Sequence, residues 1–215
     1  METIRVMLVE DHALVRAGTR QLLELEEDFA IVAEAEDGET AVRLADVHLP
    51  DVILMDINLP VKSGLEATQE IKAVHPGIAV LVLTAYDDDE YVSAFLQAGA
   101  AGYLLKDIDI QDLIRAVRDV HAGESVIHPS IADRIIPGLA RGAPAPVDDS
   151  IALFTSTDLK ILTLAARWMT NQEIAHELRC SAHAIQTQLV RIFDKLQVGS
   201  RTEAVLYALK KGWLD

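Results

Sequence analysis

Five side chains at or near the ends of apolar runs carry the chemistry available to this sequence. "IRVMLVE" ends at Glu10 with Asp11 next, "DVILMDI" carries Asp56, "IAVLVLTA" carries Thr84, and "GYLLK" ends in Lys106. Carboxylates gathered in one place repel one another unless a cation sits among them, and an all-oxygen environment suits Mg²⁺. Glu10 and Asp11 are therefore expected to hold the ion, leaving Asp56 to act as a carboxylate nucleophile towards phosphorus. Mg²⁺ and Lys106 would neutralise charge on the transferring phosphoryl group, and Thr84 would donate its hydroxyl to a phosphoryl oxygen after transfer. A new dianion at Asp56 that draws Thr84 and Lys106 inward acts as a switch.

These residues meet only if the runs that carry them lie side by side and point the same way. Between "IRVMLVE", "AIVAEAE", "DVILMDI", "IAVLVLTA" and "GYLLK" lie segments with helical spacing, among them "HALVRAGTRQLLELEE" and "IQDLIRAVRDVHAG". Alternation of this kind predicts an α/β domain, a doubly wound five-stranded parallel sheet with inner strands apolar on both faces. Sites in such sheets form at the carboxyl ends of the strands, beside the point where strand order reverses. "ARGAPAPVDDS" at 140–150 has too few apolar side chains to pack and reads as a linker. The expected division is 1–124 for the α/β domain, 125–150 for a terminal helix and linker, and 151–215 for a second domain.

The second domain is helical in pattern. "TSTD" at Thr155, "TNQE" at Thr170 and "SRTE" at Ser200 each set a hydroxyl three residues before an acid, the capping-box arrangement, and Ser181 supplies a plainer N-cap. Four short helices, two joined by the tight "RCSAH" connection, predict an all-α helix-turn-helix module.

Composition bounds the rest. Half of the 215 residues are hydrophobic, yet no run of about 18 apolar residues occurs and charges interrupt the N-terminal stretch. These features predict a soluble, cytoplasmic chain with no membrane partner. One cysteine, Cys180, excludes an internal disulfide framework and reads as a small buried hydrophobe. The net charge of −15 is unevenly spread: residues 1–149 carry 28 acidic against 11 basic side chains, and 150–215 carry 6 against 8. Only the second part suits contact with phosphates. With neither a Gly-rich phosphate loop nor a Ser/His/Asp set, the sequence predicts no enzyme acting on an external substrate.

"LVEDHALVRAG", "DVILMDINLPVKSGLEA", "VLVLTAY" and "GAAGYLLKD" resemble the receiver domain of bacterial two-component response regulators. "TNQEIAHELRCSAHAIQTQLVRIFDKLQVGSRTEAV" is similar to the LuxR-type helix-turn-helix of the NarL/FixJ class. The resemblance implies Asp56 as phosphoacceptor, Glu10, Asp11, Asp56 and the main-chain carbonyl of Asn58 as Mg²⁺ ligands, and Thr84 and Lys106 as switch residues. Tyr103 falls at the family's switch aromatic. It also implies a sensor histidine kinase as partner, double-stranded DNA as target, and a homodimer when phosphorylated.

The match thins along the expected recognition helix. Where the family usually has threonine, lysine and a histidine, this chain has Ala184, Gln186 and Gln188, and where a glycine often precedes the second helix it has Trp168. In one reading Gln186 or Gln188 makes a bidentate contact with adenine, Thr187 touches a thymine methyl or a phosphate, and Arg179, Arg191, Lys195 and Arg201 meet phosphates. In the other, the module docks on a protein partner under the control of phosphorylation.

Overall fold

The computed structural model describes residues 3–85, 89–127 and 154–214. Its first part is a parallel sheet of strands β1 (Ile4–Val9), β2 (Phe29–Ala35), β3 (Val52–Asp56), β4 (Ala79–Thr84), β5 (Gly102–Leu105) and β6 (Val126–Ile127). The order across the sheet is β2-β1-β3-β4-β5-β6. The count is six rather than five, because Val126 and Ile127 pair with Gly102 and Tyr103 of β5. A two-residue strand has no period of its own, and here it occupies the start of the stretch expected to hold a terminal helix and linker. The remainder of that stretch lies outside the described residues, as does most of the acidic run at 86–91.

Helices α1 (Ala13–Leu23), α2 (Gly38–His48), α3 (Gly64–Val74), α4 (Asp89–Gln97) and α5 (Ile110–His121) cover both faces. Alternate residues along a strand face opposite sides, so the sheet divides the core in two. Met7, Val9, Ile53, Met55, Val80 and Val82 pack with the side chains of α2, α3 and α4. Val6, Leu8, Val52, Leu54 and Leu81 pack with Leu23 of α1 and the apolar face of α5. Arg118 fastens α5 with two 2.8 Å bonds to the carboxylate of Asp28 and one of 2.7 Å to Glu26.

The second part consists, among the described residues, of helices α6 (Ser156–Ala166), α7 (Asn171–Leu178), α8 (Ala182–Leu196) and α9 (Arg201–Lys210) around Ile161, Leu162, Ile174, Ile185, Leu189 and Ile192. Thr155 and Thr170 form full capping boxes with Asp158 and Glu173. Ser200 accepts from the backbone N–H of Glu203, but the Glu203 carboxylate reaches one residue further back, to the N–H of Gly199 at 2.6 Å. Cys180 is exposed, contrary to its reading as a buried hydrophobe, because Arg179 ends α7 in the left-handed conformation and turns the chain outward before α8 begins.

The two parts touch. The Asn171 N–H donates to Glu124 at 3.0 Å, and the hydroxyls of Ser125 and Thr202 lie 2.8 Å apart. Leu206 of α9 joins the α4-side cluster of the first domain, beside Phe95, Leu96 and Ala100. A Cβ added at Gly199 would stand 1.4 Å from the carbonyl oxygen of Pro76 and 2.6 Å from Nζ of Lys72, so glycine permits the approach.

Candidate functional site

β1 and β3 are neighbours, and the chain leaves them in opposite directions across the sheet, to β2 and to β4. The crevice of an open α/β sheet lies at such a reversal. Glu10 follows the last residue of β1 and Asp56 is the last residue of β3, so the topology brings both acids to that crevice. Gly64, at the start of α3, lets the loop after β3 fold back over the acid: a Cβ there would stand 2.0 Å from the carbonyl oxygen of Asp56.

Glu10 and Asp56 are buried and Asp11 is more open. Lys106, just past β5, donates to Glu10 Oε2 at 2.7 Å and to Asp56 Oδ2 at 2.8 Å. Burial, aided by the neighbouring charge of Glu10, raises the Asp56 carboxyl above its ordinary pKa, with Lys106 opposing the shift. Burial would lower Lys106, but its bonds to the two acids outweigh it and leave its pKa raised, so the ammonium stays charged. Thr84 is fully buried at the end of β4, and its carbonyl accepts from the N–H of Lys106 at 2.7 Å. Tyr103, also fully buried, stands edge-to-face with Phe95 of α4 at 6.4 Å. Asn58 is exposed, two residues past Asp56.

Sequence reasoning passed over two contributors. Arg16 of α1 donates to the Glu10 carbonyl at 2.5 Å, and His12 Nδ1 lies 3.0 Å from Glu10 Oε1 and 2.7 Å from Asp11 Oδ1. The hydrogen bond with Glu10 and the charge of Asp11 raise the pKa of His12. One donor atom from each of Glu10, Asp11, His12 and Asp56 lies within 4.8 Å of the others, a set able to surround a metal ion. The histidine signal was present as the "EDH" triplet.

The expected DNA contacts fare unevenly. Arg179, Thr187 and Arg191 are exposed. Gln186 is half-buried and, with Val190, lines a cavity of about 410 Å³ whose far wall includes Pro76, Gly77 and His121. Gln188 and Lys195 donate to Asp158 of α6 at 2.5 and 3.1 Å, which engages both. Arg201 is a correction: it is 3% exposed and donates to the Met169 carbonyl and, at 3.5 Å, to Asn171, so it cannot reach a phosphate in this arrangement. Burial lowers its pKa to about 10, against the charges of Glu124 and Glu173. Trp168 is half-buried with φ at 58°, a left-handed position that glycine adopts at less cost.

Asp158 is fully buried, and burial would raise its pKa, but hydrogen bonds from Gln188, Thr155 and Lys195 hold it below the usual carboxylate range. A depressed folded-state pKa contributes stability above the unfolded value and loses it as pH falls through the folded one. Asp158→Ala is therefore expected to cost about 2 kcal/mol at pH 7. Urea unfolding of the two proteins should show the gap shrinking in acid.

A model described as "Response regulator receiver domain" matches residues 6–118, and one described as "Bacterial regulatory proteins, luxR family" matches residues 152–208. This chain is a response regulator of the NarL/FixJ class. The regulator is 35% identical to the transcriptional regulatory protein DegU of Brevibacillus brevis, over 98% of this chain and 95% of DegU. It is 36% identical to the oxygen regulatory protein NreC of Staphylococcus carnosus, over 99% of this chain and all of NreC. Among solved structures, a LuxR-family response regulator from Aurantimonas aligns at TM-score 0.60 and 36% identity, covering 64% of this chain and 98% of that one. The response regulator ChrA of a heme-sensing two-component system aligns at TM-score 0.53 and 32% identity, over 99% of this chain and all of ChrA. The response regulator controls transcription, and phosphorylation controls it. Receiver domains bind Mg²⁺ at an acidic pocket, and Glu10, Asp11 and Asp56 form an acidic cluster of that kind. Among the described residues, no helix is long and apolar enough to cross a membrane.

Proposed function

We propose that Asp56 accepts a phosphoryl group from a phosphohistidine of a sensor kinase, and that this modification frees α8 to read DNA. The observation that carries the reading is that the α8 face bearing Gln186 looks across a cavity onto the acidic receiver that also holds Asp56. A carboxylate oxygen of Asp56 attacks phosphorus, the N–P bond breaks, and Lys106 neutralises charge on the transferred group. Glu10, Asp11, Asp56 and the Asn58 carbonyl would hold Mg²⁺, which supplies positive charge beside the phosphoryl oxygens. Thr84 would then donate its hydroxyl to that group, and Tyr103 with α4 would follow the shift inward. Leu206 and Glu203 of α9 rest on α4 and on the turn after it, so movement there loosens the contact between the domains.

In the freed domain, spanning 151–215, Gln186 reads adenine, Thr187 touches a thymine methyl or a phosphate, and Arg179 and Arg191 meet phosphates. Gln188 and Lys195 hold Asp158 and so fix α8 against α6. With so few cations on one copy, two copies on half-sites one helical turn apart supply the affinity. The regulator acts in the cytoplasm, where kinase and DNA meet.

The test is selection from a random duplex pool by the full-length chain, with and without a beryllofluoride mimic at Asp56. Enrichment of a two-fold-related motif only with the mimic is expected. Gln186→Ala should change the preferred sequence, and Arg191→Ala should flatten the salt dependence. No enrichment in either state, from protein that takes up the mimic, would show that α8 faces a protein instead.

A further inference from the structure

Three methyl-bearing side chains stand in a row on the outer side of α8. Ala184, Thr187 and Val190 are all exposed, and a spacing of three residues keeps them on the same side of the helix. Val190 is 52% open to solvent, whereas Leu189 and Ile192 on the opposite side are buried in the core of the domain. Thr187 belongs to the row because its hydroxyl donates to the His183 carbonyl at 2.9 Å, which leaves it no hydrogen to offer a base. The long polar side chains nearby have other tasks. Gln188 and Lys195 hold Asp158, while Arg191, beside Val190, and Arg179, at the end of α7, are exposed cations suited to phosphates. His183 and Asp194, both exposed, mark the two ends of the row.

A helix in the major groove meets two kinds of feature: hydrogen-bonding base edges, and the C5-methyl group of thymine, which is recognised by apolar contact. The row on α8 has the chemistry of the second kind. We propose that Ala184, Thr187 and Val190 read thymine through its C5-methyl group, and that Val190, the largest of the three, sets the preference at its own base pair. Cytosine in that place lacks the methyl and turns an amino donor towards a side chain that accepts nothing. Arg179 and Arg191 on either side of the row match the charge of a nucleic-acid backbone, which makes a duplex its occupant. The inference rests on the reading of α8 as the DNA-reading helix and names the feature of the bases that this helix takes.

The experiment uses the full-length chain carrying the beryllofluoride mimic. Its probes are duplexes of the motif that selection enriches, with thymine exchanged for deoxyuridine one position at a time, and fluorescence anisotropy measures their binding. The exchange removes one methyl group and leaves every hydrogen-bonding edge of the base unchanged. Loss of a buried methyl contact is expected to weaken binding about fourfold at two or more thymines. Val190→Ala should abolish that penalty at one of them and keep it at the others. The domain keeps its fold, because Val190 lies at the surface and alanine favours a helix. Each penalty compares two duplexes on the same protein, so any effect of the variant on domain opening cancels. A motif without thymine, or one in which every thymine tolerates deoxyuridine, overturns the inference while leaving DNA binding intact. Penalties that persist at every position in Val190→Ala overturn the role of Val190. No enriched duplex at all overturns the reading of α8 as a DNA-reading helix, and the inference with it.

Discussion

Asp56→Asn should take up no phosphoryl group from acetyl phosphate in Mg²⁺, and the same variant should melt above the parent. Loss of uptake follows from replacing the carboxylate oxygen that Lys106 holds, Asp56 Oδ2, with a weakly nucleophilic amide. The gain in stability follows from burial. The folded-state pKa of Asp56 is raised, so its contribution to stability is fully present only below the unfolded value of about 3.9, where the group is protonated, and is lost as pH rises through the folded value. Above that folded value the parent keeps a charge in a place that disfavours it. Asparagine keeps the shape, removes the charge and leaves Lys106 its partner Glu10. A gain on the order of 1 kcal/mol, roughly 2–4 °C in Tm, is the scale on which functional sites exchange stability for activity. Intact-mass analysis after incubation with the donor measures the first effect and differential scanning calorimetry the second. In acid the two melting curves should converge. A phosphorylated Asp56→Asn would move the acceptor elsewhere, and an unchanged Tm would remove the argument from burial.

Gly199→Ala should make DNA binding independent of the phosphoryl group. The nearest atoms to the added methyl belong to Pro76 and Lys72 of the receiver, and one of them is a backbone oxygen at 1.4 Å, which no side-chain rotation can relieve. The three nearest atoms all belong to the receiver, so separation of the domains relieves the clash while each keeps its fold. The unphosphorylated variant is expected to bind the selected duplex at least tenfold more tightly than the unphosphorylated parent, a population shift of about 1.4 kcal/mol or more. Fluorescence anisotropy reads the affinity and small-angle scattering the separation. A variant as compact as the parent and no tighter on DNA would dissociate the contact from control.

Much of this arrangement was legible in the sequence where its causes are local. β3, β4 and β1 from Val6 onward are continuous apolar runs because helices cover both faces of the sheet, and their ends fix the places of Glu10, Asp56 and Thr84. The caps at Thr155, Thr170 and Ser181 depend on residues three positions apart and emerged as the sequence indicates. What stayed illegible depends on distant partners. β6 exists because β5 offers it an edge. Gln188 and Lys195 look like DNA contacts until Asp158, 30 and 37 residues earlier, is seen to accept from both. Arg201 reads as a surface cation because nothing beside it in sequence announces the Met169 carbonyl or Asn171 that enclose it.

Under the proposed pairing of two copies, Leu206 would couple the switch to the abundance of the protein. It is a side chain of the second domain that completes the hydrophobic cluster of the first. Parting the domains returns it to water at a cost of about 1.5–3 kcal/mol. A second chain that covers the exposed leucine refunds that cost, and by mass action the refund grows with the number of chains present. The signal needed to turn the regulator on would then fall as its own copy number rises, so a cell would set the sensitivity of this circuit partly by how much of the regulator it makes.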